Sequence, residues 1–277
     1  MSAVELSARD VEAFRGVIYR YYERHGRSFP WRETTDPYSI LVSEVMLQQT
    51  QTSRAVPKYR AFLDRFPDVE ALASASLQDV LEAWQGLGYN RRAMHLRQAA
   101  IDIVARYGGV VPRDEASLRS LPGIGPYTAA AVQAFAFDLP AVVMDTNVRT
   151  VFIHFFFPGR DAVDDTDIRP LVEATMDGDN PRRWYSALMD YGAMLKQRHD
   201  NPGRKSTSYN RQSRFVGSDR QIRGAVVRLL LDGPMELRTL VDAIDAEESR
   251  VLDIIDRLRR EHMVALDDDR LSIPRQR

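Results

Sequence analysis

The chain has 277 residues, of which 44% are hydrophobic and 28% are charged, and its formal net charge is −1 at pH 7. These values are ordinary for a globular protein with a sizeable core and two or perhaps three domains. Because the net charge is close to zero, any nucleic-acid site must be a local basic face. Cysteine is absent, which excludes disulfides, thiolate metal sites and iron–sulfur clusters.

The N-terminal sequence MSAVELSARDVEAF is charged and amphipathic, which is not typical of a signal peptide. No apolar run reaches the roughly 20 residues that a transmembrane helix needs. We therefore expect no membrane contact and a cytoplasmic location, associated with the nucleoid if the chain is prokaryotic.

Apolar residues at helical spacing predict a chain that is almost entirely α-helical. A helix is predicted over 8–26, and the pair Asp36-Pro37 predicts the start of the next, because an N-cap is followed there by proline at the first helical position. The remaining predicted helices cover 54–65, 69–73, 77–85, 90–106, 115–120, 126–137, a stretch that begins at Asp145, Ile168–Met176 and Arg182–Gln197.

Residues 199–218 are polar and basic, which predicts a linker or a surface loop. The following segment, 219–277, is predicted to be a small winged helix-turn-helix domain. Its predicted elements are helices over Gln221–Leu231, Leu237–Ile244 and Glu247–His262 and strands over Met263–Leu266 and Leu271–Ile273. The third helix mixes acidic and basic residues, which favours a packing role or a protein partner over direct contact with DNA.

The turn Gly123-Ile124-Gly125-Pro126 lies between two predicted helices. Glycines at the start of a helix allow backbone N–H groups to approach an anion, typically a phosphate. A plain helix–helix connector with positive φ at the glycines explains the turn equally well.

Two carboxylates stand out. Asp145 follows an apolar stretch and immediately precedes a helix, so it is a good N-cap that can still face a cleft. Glu44 lies in an otherwise apolar helix, where burial should raise its pKa and suit it to act as a general acid. The alternative for Glu44 is a position at the rim of the fold, paired with an arginine such as Arg32.

The stretches FPWRETTDPYSILVSEVMLQQTQT, GLGYNRRA, LPGIGPYTA and MDTNVRTV occur in the order and spacing of the helix-hairpin-helix (HhH-GPD) DNA glycosylases. Over residues 25–197 the chain most closely resembles the MutY-type adenine glycosylases. The resemblance implies an all-α fold of two lobes within 1–198: a six-helix barrel over about 30–138 and a second lobe from 1–29 plus 139–198, with the active-site cleft between them. It also implies that the glycine turn grips a DNA phosphate, with K⁺ or Na⁺ at its backbone, and that the chain is a monomer.

The resemblance also implies individual roles. Glu44 matches the acid that protonates the departing base, and Asp145 matches the aspartate that faces the sugar, with Asn147 beside it. Tyr127 stands where related lyases have a lysine, so base removal without strand cleavage is expected. The implied DNA-contacting residues are Gln48, Gln49, Thr50, Tyr89, Leu121, Gly123, Ile124, Gly125, Tyr127 and Thr128. Arg204 and Lys205 of the basic segment are expected to add phosphate contacts, unless that segment is a disordered linker.

The chain departs from the family pattern at several positions. Lys196 stands where the first cysteine of an iron–sulfur cluster would fall, so the chain resembles the clusterless members. Thr146 replaces a glycine that usually follows Asp145, and Ser186 replaces a longer polar residue near the base pocket, to which Arg32 is also assigned. The stretches LQQTQ and GLGYNRRA favour the adenine branch of the family. The predicted function is removal of adenine mispaired with guanine or 8-oxoguanine in duplex DNA, with thymine or uracil removal from T:G or U:G as one alternative. A non-catalytic DNA-binding protein that uses the winged helix is the other.

Overall fold

The computed structural model describes residues 6–211 and 214–274. The described chain is mainly helical, as predicted, and several helices have the expected local signals at their ends. Ser7 forms a capping box with Asp10 at the first helix, and Asp145 caps the helix that begins at Thr146. The helices are α1 (Ala8–His25), α2 (Pro37–Leu47), α3 (Thr52–Arg65), α4 (Val69–Ser74), α5 (Leu77–Trp84), α6 (Arg91–Tyr107), α7 (Glu115–Arg119), α8 (Pro126–Phe137), α9 (Thr146–Phe156), α10 (Asp165–Thr175), α11 (Pro181–Arg198), α12 (Asp219–Leu231), α13 (Leu237–Asp242) and α14 (Glu248–Arg260).

The chain divides into two compact units. The first comprises 1–41, 113–119 and 124–211, and the second comprises 42–112, 120–123 and 212–277. The predicted division into a six-helix barrel, a second lobe, a linker and a C-terminal domain remains a prediction.

An aromatic cluster forms part of the core of the first unit. Phe14 of α1 packs edge to face against Phe152, Phe155 and Phe156 of α9 and against Trp184 of α11, with ring centroids 5.1 to 5.8 Å apart. Edge-to-face pairs of this kind add to the stabilisation that burial of the rings provides. The cluster fixes α9 against α11, the two helices that carry Asp145 and Lys196 at or near their ends.

The predicted linker is structured over its first part. After α11 the chain forms a 3-10 turn over Pro202–Lys205, and residue 206 pairs with Val163 in a parallel bridge. Gly203 is buried against Thr150 of α9, where a Cβ would come within 2.4 Å of the Thr150 hydroxyl oxygen. Residues 199–211 therefore belong to the first unit, whereas Gln212 and Ser213 of the predicted linker lie outside the described residues.

The second unit contains α3 to α6 and the C-terminal elements. Three short strands, β1 (Met235–Glu236), β2 (Ala265–Asp267) and β3 (Arg270–Ser272), form an antiparallel sheet in the order β1-β3-β2. The order of three helices followed by a terminal hairpin agrees with the prediction. The strand β1 was not predicted, because its two residues are too few to show a strand pattern. The winged-helix interpretation of this region remains a prediction.

Among the described residues, no helix is both long and apolar enough to cross a membrane.

Candidate functional site

The glycine turn connects α7 to α8, and its two glycines differ in conformation. Gly123 has φ +76°, and a Cβ there would lie 2.8 Å from the Cβ of His95, so both the backbone and the packing require glycine. Gly125 has φ −88° and ψ 179°, an extended conformation that any residue adopts, and a Cβ there would meet nothing within 4 Å. The plain-connector interpretation, with positive φ at both glycines, therefore holds for Gly123 and fails for Gly125.

The side chains around this turn alternate between core and surface. Leu121 and Ile124 are buried, as is Thr128 in the first turn of α8, and they anchor the turn. Gly123 and Gly125 are exposed. Because α8 begins at Pro126, the exposed backbone of Gly125 stands at the positive end of the helix.

Asp145 is half-buried and caps α9. Its Oδ1 accepts a hydrogen bond from the Val148 amide at 2.6 Å, and its Oδ2 accepts one from Nδ2 of Asn147 at 2.8 Å. Both oxygens thus act as acceptors, which fixes the orientation of the carboxyl group. The predicted neighbours Asp145 and Asn147 are in direct contact.

Arg149 brings Tyr127 into the same region. Its guanidinium forms two hydrogen bonds of 2.7 Å with the two carboxylate oxygens of Asp165. The bonds to Asp165 raise the pKa of Arg149 above its ordinary value, against the effect of burial, and Asp145 and Tyr127 contribute smaller increases. Tyr127 and Asp145 therefore both lie within electrostatic reach of one arginine, which sequence reasoning missed.

Glu44 lies in the second unit, on α2, and only 5% of its surface is exposed. Its neighbours in sequence, Ser43 and Val45, are also buried. The predicted burial of this residue is confirmed.

Arg92 organises the loop that follows α2. Its guanidinium donates hydrogen bonds to the carbonyl oxygens of Val45, Met46 and Gln48, at 2.8, 3.0 and 2.5 Å, and to the Thr50 hydroxyl at 3.2 Å. Burial among these neutral groups lowers the pKa of Arg92 to about 10. The repeated arginines of GLGYNRRA were the sequence signal for this residue, but its role could not be read from them.

The same arginine also holds the loop that carries Tyr89. It donates to the Leu87 and Gly88 carbonyl oxygens at 3.3 and 3.1 Å, and its guanidinium lies 5.5 Å from the Tyr89 ring centroid. Gln49 and Tyr89 have φ +56° and +50°, the left-handed region that is uncommon outside glycine. Arg92 therefore joins the two loops predicted to contact DNA, both of which contain a strained residue.

The C-terminal region contacts Tyr89 as well. Arg220, at the start of α12, donates to the Tyr89 hydroxyl at 2.8 Å and lies 5.4 Å from its ring centroid. Glu261, after α14, forms ion pairs with Arg91 and Arg223. The start of α12 and the end of α14 thus lie beside the Tyr89 loop within the second unit.

The predicted base-pocket residues Arg32 and Ser186 are neighbours. Arg32 Nη2 donates to the Ser186 carbonyl oxygen at 3.3 Å, and both guanidinium ends of Arg32 bind the buried carboxylate of Asp190 at 2.9 Å. Asp190 also accepts from the backbone and side chain of Arg27. Burial alone would raise the pKa of Asp190, but these bonds outweigh it and hold the pKa below its ordinary value. Arg32 therefore takes part in a buried ion pair, and its place in a base pocket remains a prediction.

The basic residues Arg204 and Lys205 lie in the 3-10 turn after α11. Arg204 pairs with Asp200 at 2.6 Å, and Nζ of Lys205 donates to the carbonyl oxygen of Pro158 at 3.1 Å. Their expected contacts with phosphate remain a prediction.

Lys196 stands in place of a cysteine, and the sequence predicted no other role for it. Its Nζ donates to Thr146 Oγ1 and to Asn147 Oδ1, each at 2.9 Å. No group of three or more metal-ligating side chains occurs within 6–211 and 214–274.

Comparison with known proteins gives consistent matches. Residues 42–169 match the family model of the HhH-GPD superfamily base excision DNA repair proteins. The adenine DNA glycosylase of Mycolicibacterium smegmatis is 37% identical over 258 residues, which cover 85% of this chain and 88% of that protein. The adenine DNA glycosylase of Buchnera aphidicola subsp. Baizongia pistaciae is 33% identical over 187 residues, 66% of this chain, and the chain spans about half of that relative's length (52%).

One similar solved structure is a thermostable thymine-DNA glycosylase. It is 27% identical, with a TM-score of 0.62, and the match covers 70% of this chain and 91% of that one.

Proposed function

Because the chain belongs to the HhH-GPD superfamily of base excision DNA repair proteins, we propose that it is a DNA glycosylase that removes adenine paired with guanine or 8-oxoguanine in duplex DNA. Similarity to an adenine glycosylase across 85% of the chain supports this choice. An adenine in a duplex is stacked and paired, so it must first be rotated out of the helix.

The observation that carries the proposed chemistry is the fixed carboxylate of Asp145. Breaking the glycosidic bond leaves positive charge on the sugar, as in other glycoside hydrolyses, and a nearby anion stabilises that charge. Asp145 has both oxygens held by N–H donors, so it is ready to act as this anion without rearranging.

Glu44 is proposed as the general acid. The base leaves with the electrons of the glycosidic bond and takes the proton of the Glu44 carboxyl group, and water then supplies hydroxide to the sugar while Glu44 regains a proton. A buried carboxyl group is suited to this role, because burial favours its neutral form. Tyr127 has no amine that could form a Schiff base with the opened sugar, so the product is an abasic site in an intact strand.

A base-excision panel tests the activity. Duplexes with A:8-oxoG, A:G, T:G and U:G are incubated with excess protein and quenched with or without alkali. We expect release from the two adenine duplexes, seen as strand breaks after alkali only. Glu44→Gln should slow release by about 10²–10⁴-fold, whereas Glu12→Gln, at an exposed position on α1, should leave it unchanged. Release that does not depend on Glu44, or breaks without alkali, would contradict the mechanism.

We propose in addition that the turn before α8 binds a DNA phosphate at Gly125. The backbone of Gly125 is exposed where α8 begins, and a Cβ there would meet nothing within 4 Å, so an anion has room to approach the N–H groups of the turn. Gly125→Ala should fold normally and weaken duplex binding by about tenfold, since a methyl group would occupy that space. Gly159→Ala, which also meets open space, is the matched control. Unchanged duplex affinity in Gly125→Ala would refute the phosphate site.

The second candidate activity is thymine or uracil removal, which the similarity to a thymine-DNA glycosylase favours. It predicts release from T:G or U:G in the same panel. The lower identity of that match, 27% against 37%, makes adenine the preferred substrate.

A further inference from the structure

Lys196 reaches the first turn of α9 from the end of α11. Gly192, one helical turn earlier on the same face of α11, makes this approach possible. A Cβ on Gly192 would lie 2.5 Å from the carbonyl oxygen of Asn147 and 2.7 Å from its Cβ. The two helices are therefore in backbone contact beside Asp145, and Lys196 follows one turn later.

The hydrogen bonds of Lys196 have a fixed direction. An ammonium group only donates, so the atom of Asn147 that it contacts at 2.9 Å must be the acceptor Oδ1. The amide nitrogen of Asn147 then faces the other way, toward Oδ2 of Asp145 at 2.8 Å. Because Asn147 has a donor at one end and an acceptor at the other, only one orientation of its amide satisfies both contacts.

Placing the ammonium group of Lys196 at this position costs free energy of hydration. It is half-buried, and its hydrogen-bond partners, Thr146 Oγ1 and Asn147 Oδ1, are neutral oxygens, so its charge is in direct contact with no carboxylate among the described residues. Burial lowers the pKa of Lys196, and the nearby charge of Asp145 acts in the opposite direction. A buried ammonium group kept in this way next to a carboxylate is typical of a functional site rather than of a packed core.

We propose that Lys196 is a positioning residue for base excision, which acts through Asn147 to hold the Asp145 carboxylate in its reactive orientation. The inference rests on the proposed function. Lys196 fixes the amide of Asn147, Asn147 donates to one oxygen of Asp145, and the Val148 amide donates to the other. The ammonium charge also polarises the amide, which strengthens its bond to the carboxylate.

A double-mutant cycle tests the proposal. Lys196→Met is compared with wild type, with Asn147→Ala and with the double variant, in single-turnover excision at saturating protein. We expect Lys196→Met to lower the rate about tenfold in the wild-type background and less than twofold in the Asn147→Ala background, because coupled residues are not additive. Duplex affinity should stay within twofold, and Lys196→Arg should recover most of the rate.

Controls separate this role from others. Arg198→Met removes an exposed charge two residues later on α11 and should leave the rate unchanged. Thermal denaturation identifies any variant that is not folded at the assay temperature, and Lys196→Gln, which removes the charge and keeps a polar side chain, replaces Lys196→Met in the cycle if that variant does not fold. An unchanged rate in Lys196→Met, an equal loss in both backgrounds, or weaker duplex binding with an unchanged saturated rate would each overturn the proposal. Failure of the wild type on every duplex would instead refute the proposed function.

Discussion

Asp190 offers a direct test of the electrostatics of the first unit. Its carboxylate is 1% exposed and receives four N–H donors, two from Arg32 at 2.9 Å and two from Arg27 at 2.7 and 2.8 Å. In Asp190→Asn the charge is removed and an amide N–H group faces the arginine donors. Arg32 is then left 15% exposed without a counter-ion.

The expected loss follows from the burial of the two arginines. Removing one partner of a buried pair costs about 3–5 kcal/mol, because the remaining charge is uncompensated. Arg27 is 39% exposed and regains water, so its share is small. We therefore expect Asp190→Asn to lower the free energy of unfolding by about 3 kcal/mol, set mainly by Arg32.

Urea denaturation followed by tryptophan fluorescence measures this loss, since Trp31 and Trp184 report on the first unit. Glu23→Gln is the control, because Glu23 and Arg183 form an ion pair in which the side chains are 58% and 54% exposed. Its expected cost is below about 1 kcal/mol. Equal losses in the two variants would refute the reasoning.

The pH dependence provides a second check. The bonds from Arg32 and Arg27 hold the pKa of Asp190 below its ordinary value of about 3.9. A lowered pKa stabilises the fold above the unfolded-state value, and this stabilisation is lost as pH falls through the folded-state value. The difference in the free energy of unfolding between wild type and Asp190→Asn should therefore have its full size at pH 7 and become smaller below about pH 4. A difference that widens in acid would refute the assignment.

Two further variants test the contacts of the helices. Gly192→Ala should lower the free energy of unfolding by roughly 1–3 kcal/mol, since its methyl group would collide with the backbone of Asn147. Its control is Gly224→Ala, where the methyl group meets open space and the free energy of unfolding should be unchanged or rise by up to about 1 kcal/mol. Equal melting temperatures of the two variants would contradict this expectation. Glu261→Gln should lower the free energy of unfolding of the second unit by about 2 kcal/mol, because Arg91 and Arg223 lose the carboxylate that they share. An unchanged urea midpoint would count against that contact.

Features that depend on residues close together in the chain were predicted correctly. The bounds of α8 and the N-cap at Asp145 agree with the prediction, because proline at the first position and a carboxylate before the first turn act within a few residues. The burial of Glu44 followed from the apolar residues around it. The positive φ of Gln49 and Tyr89 carried no such signal. Arg92 contacts both loops, and one of its acceptors, the Gln48 carbonyl oxygen, is 44 residues away along the chain.

The segment after α11 shows what composition leaves open. Polar and basic residues predicted a linker or a surface loop over 199–218, and the structure adds that the backbone of Val163 exchanges hydrogen bonds with Lys205 and Thr207 at 2.8 and 3.1 Å. Gly203 lies against Thr150 with no space for a side chain. These contacts join residues more than 40 positions apart, and neither periodicity nor composition encodes a partner at that distance.

Two departures from the family pattern, Thr146 and Lys196, are in direct contact in the structure. In the sequence, Lys196 in place of cysteine indicated a clusterless member of the family, and Thr146 in place of glycine left the target base open. In the fold, the Thr146 hydroxyl accepts a hydrogen bond from Lys196 at 2.9 Å. A glycine at 146 would remove one of the two acceptors of a half-buried ammonium group, which increases the cost of burying its charge. The threonine therefore supports the lysine, and the lysine in turn fixes the amide that contacts Asp145, so the two substitutions form one hydrogen-bonded unit beside the proposed reaction centre.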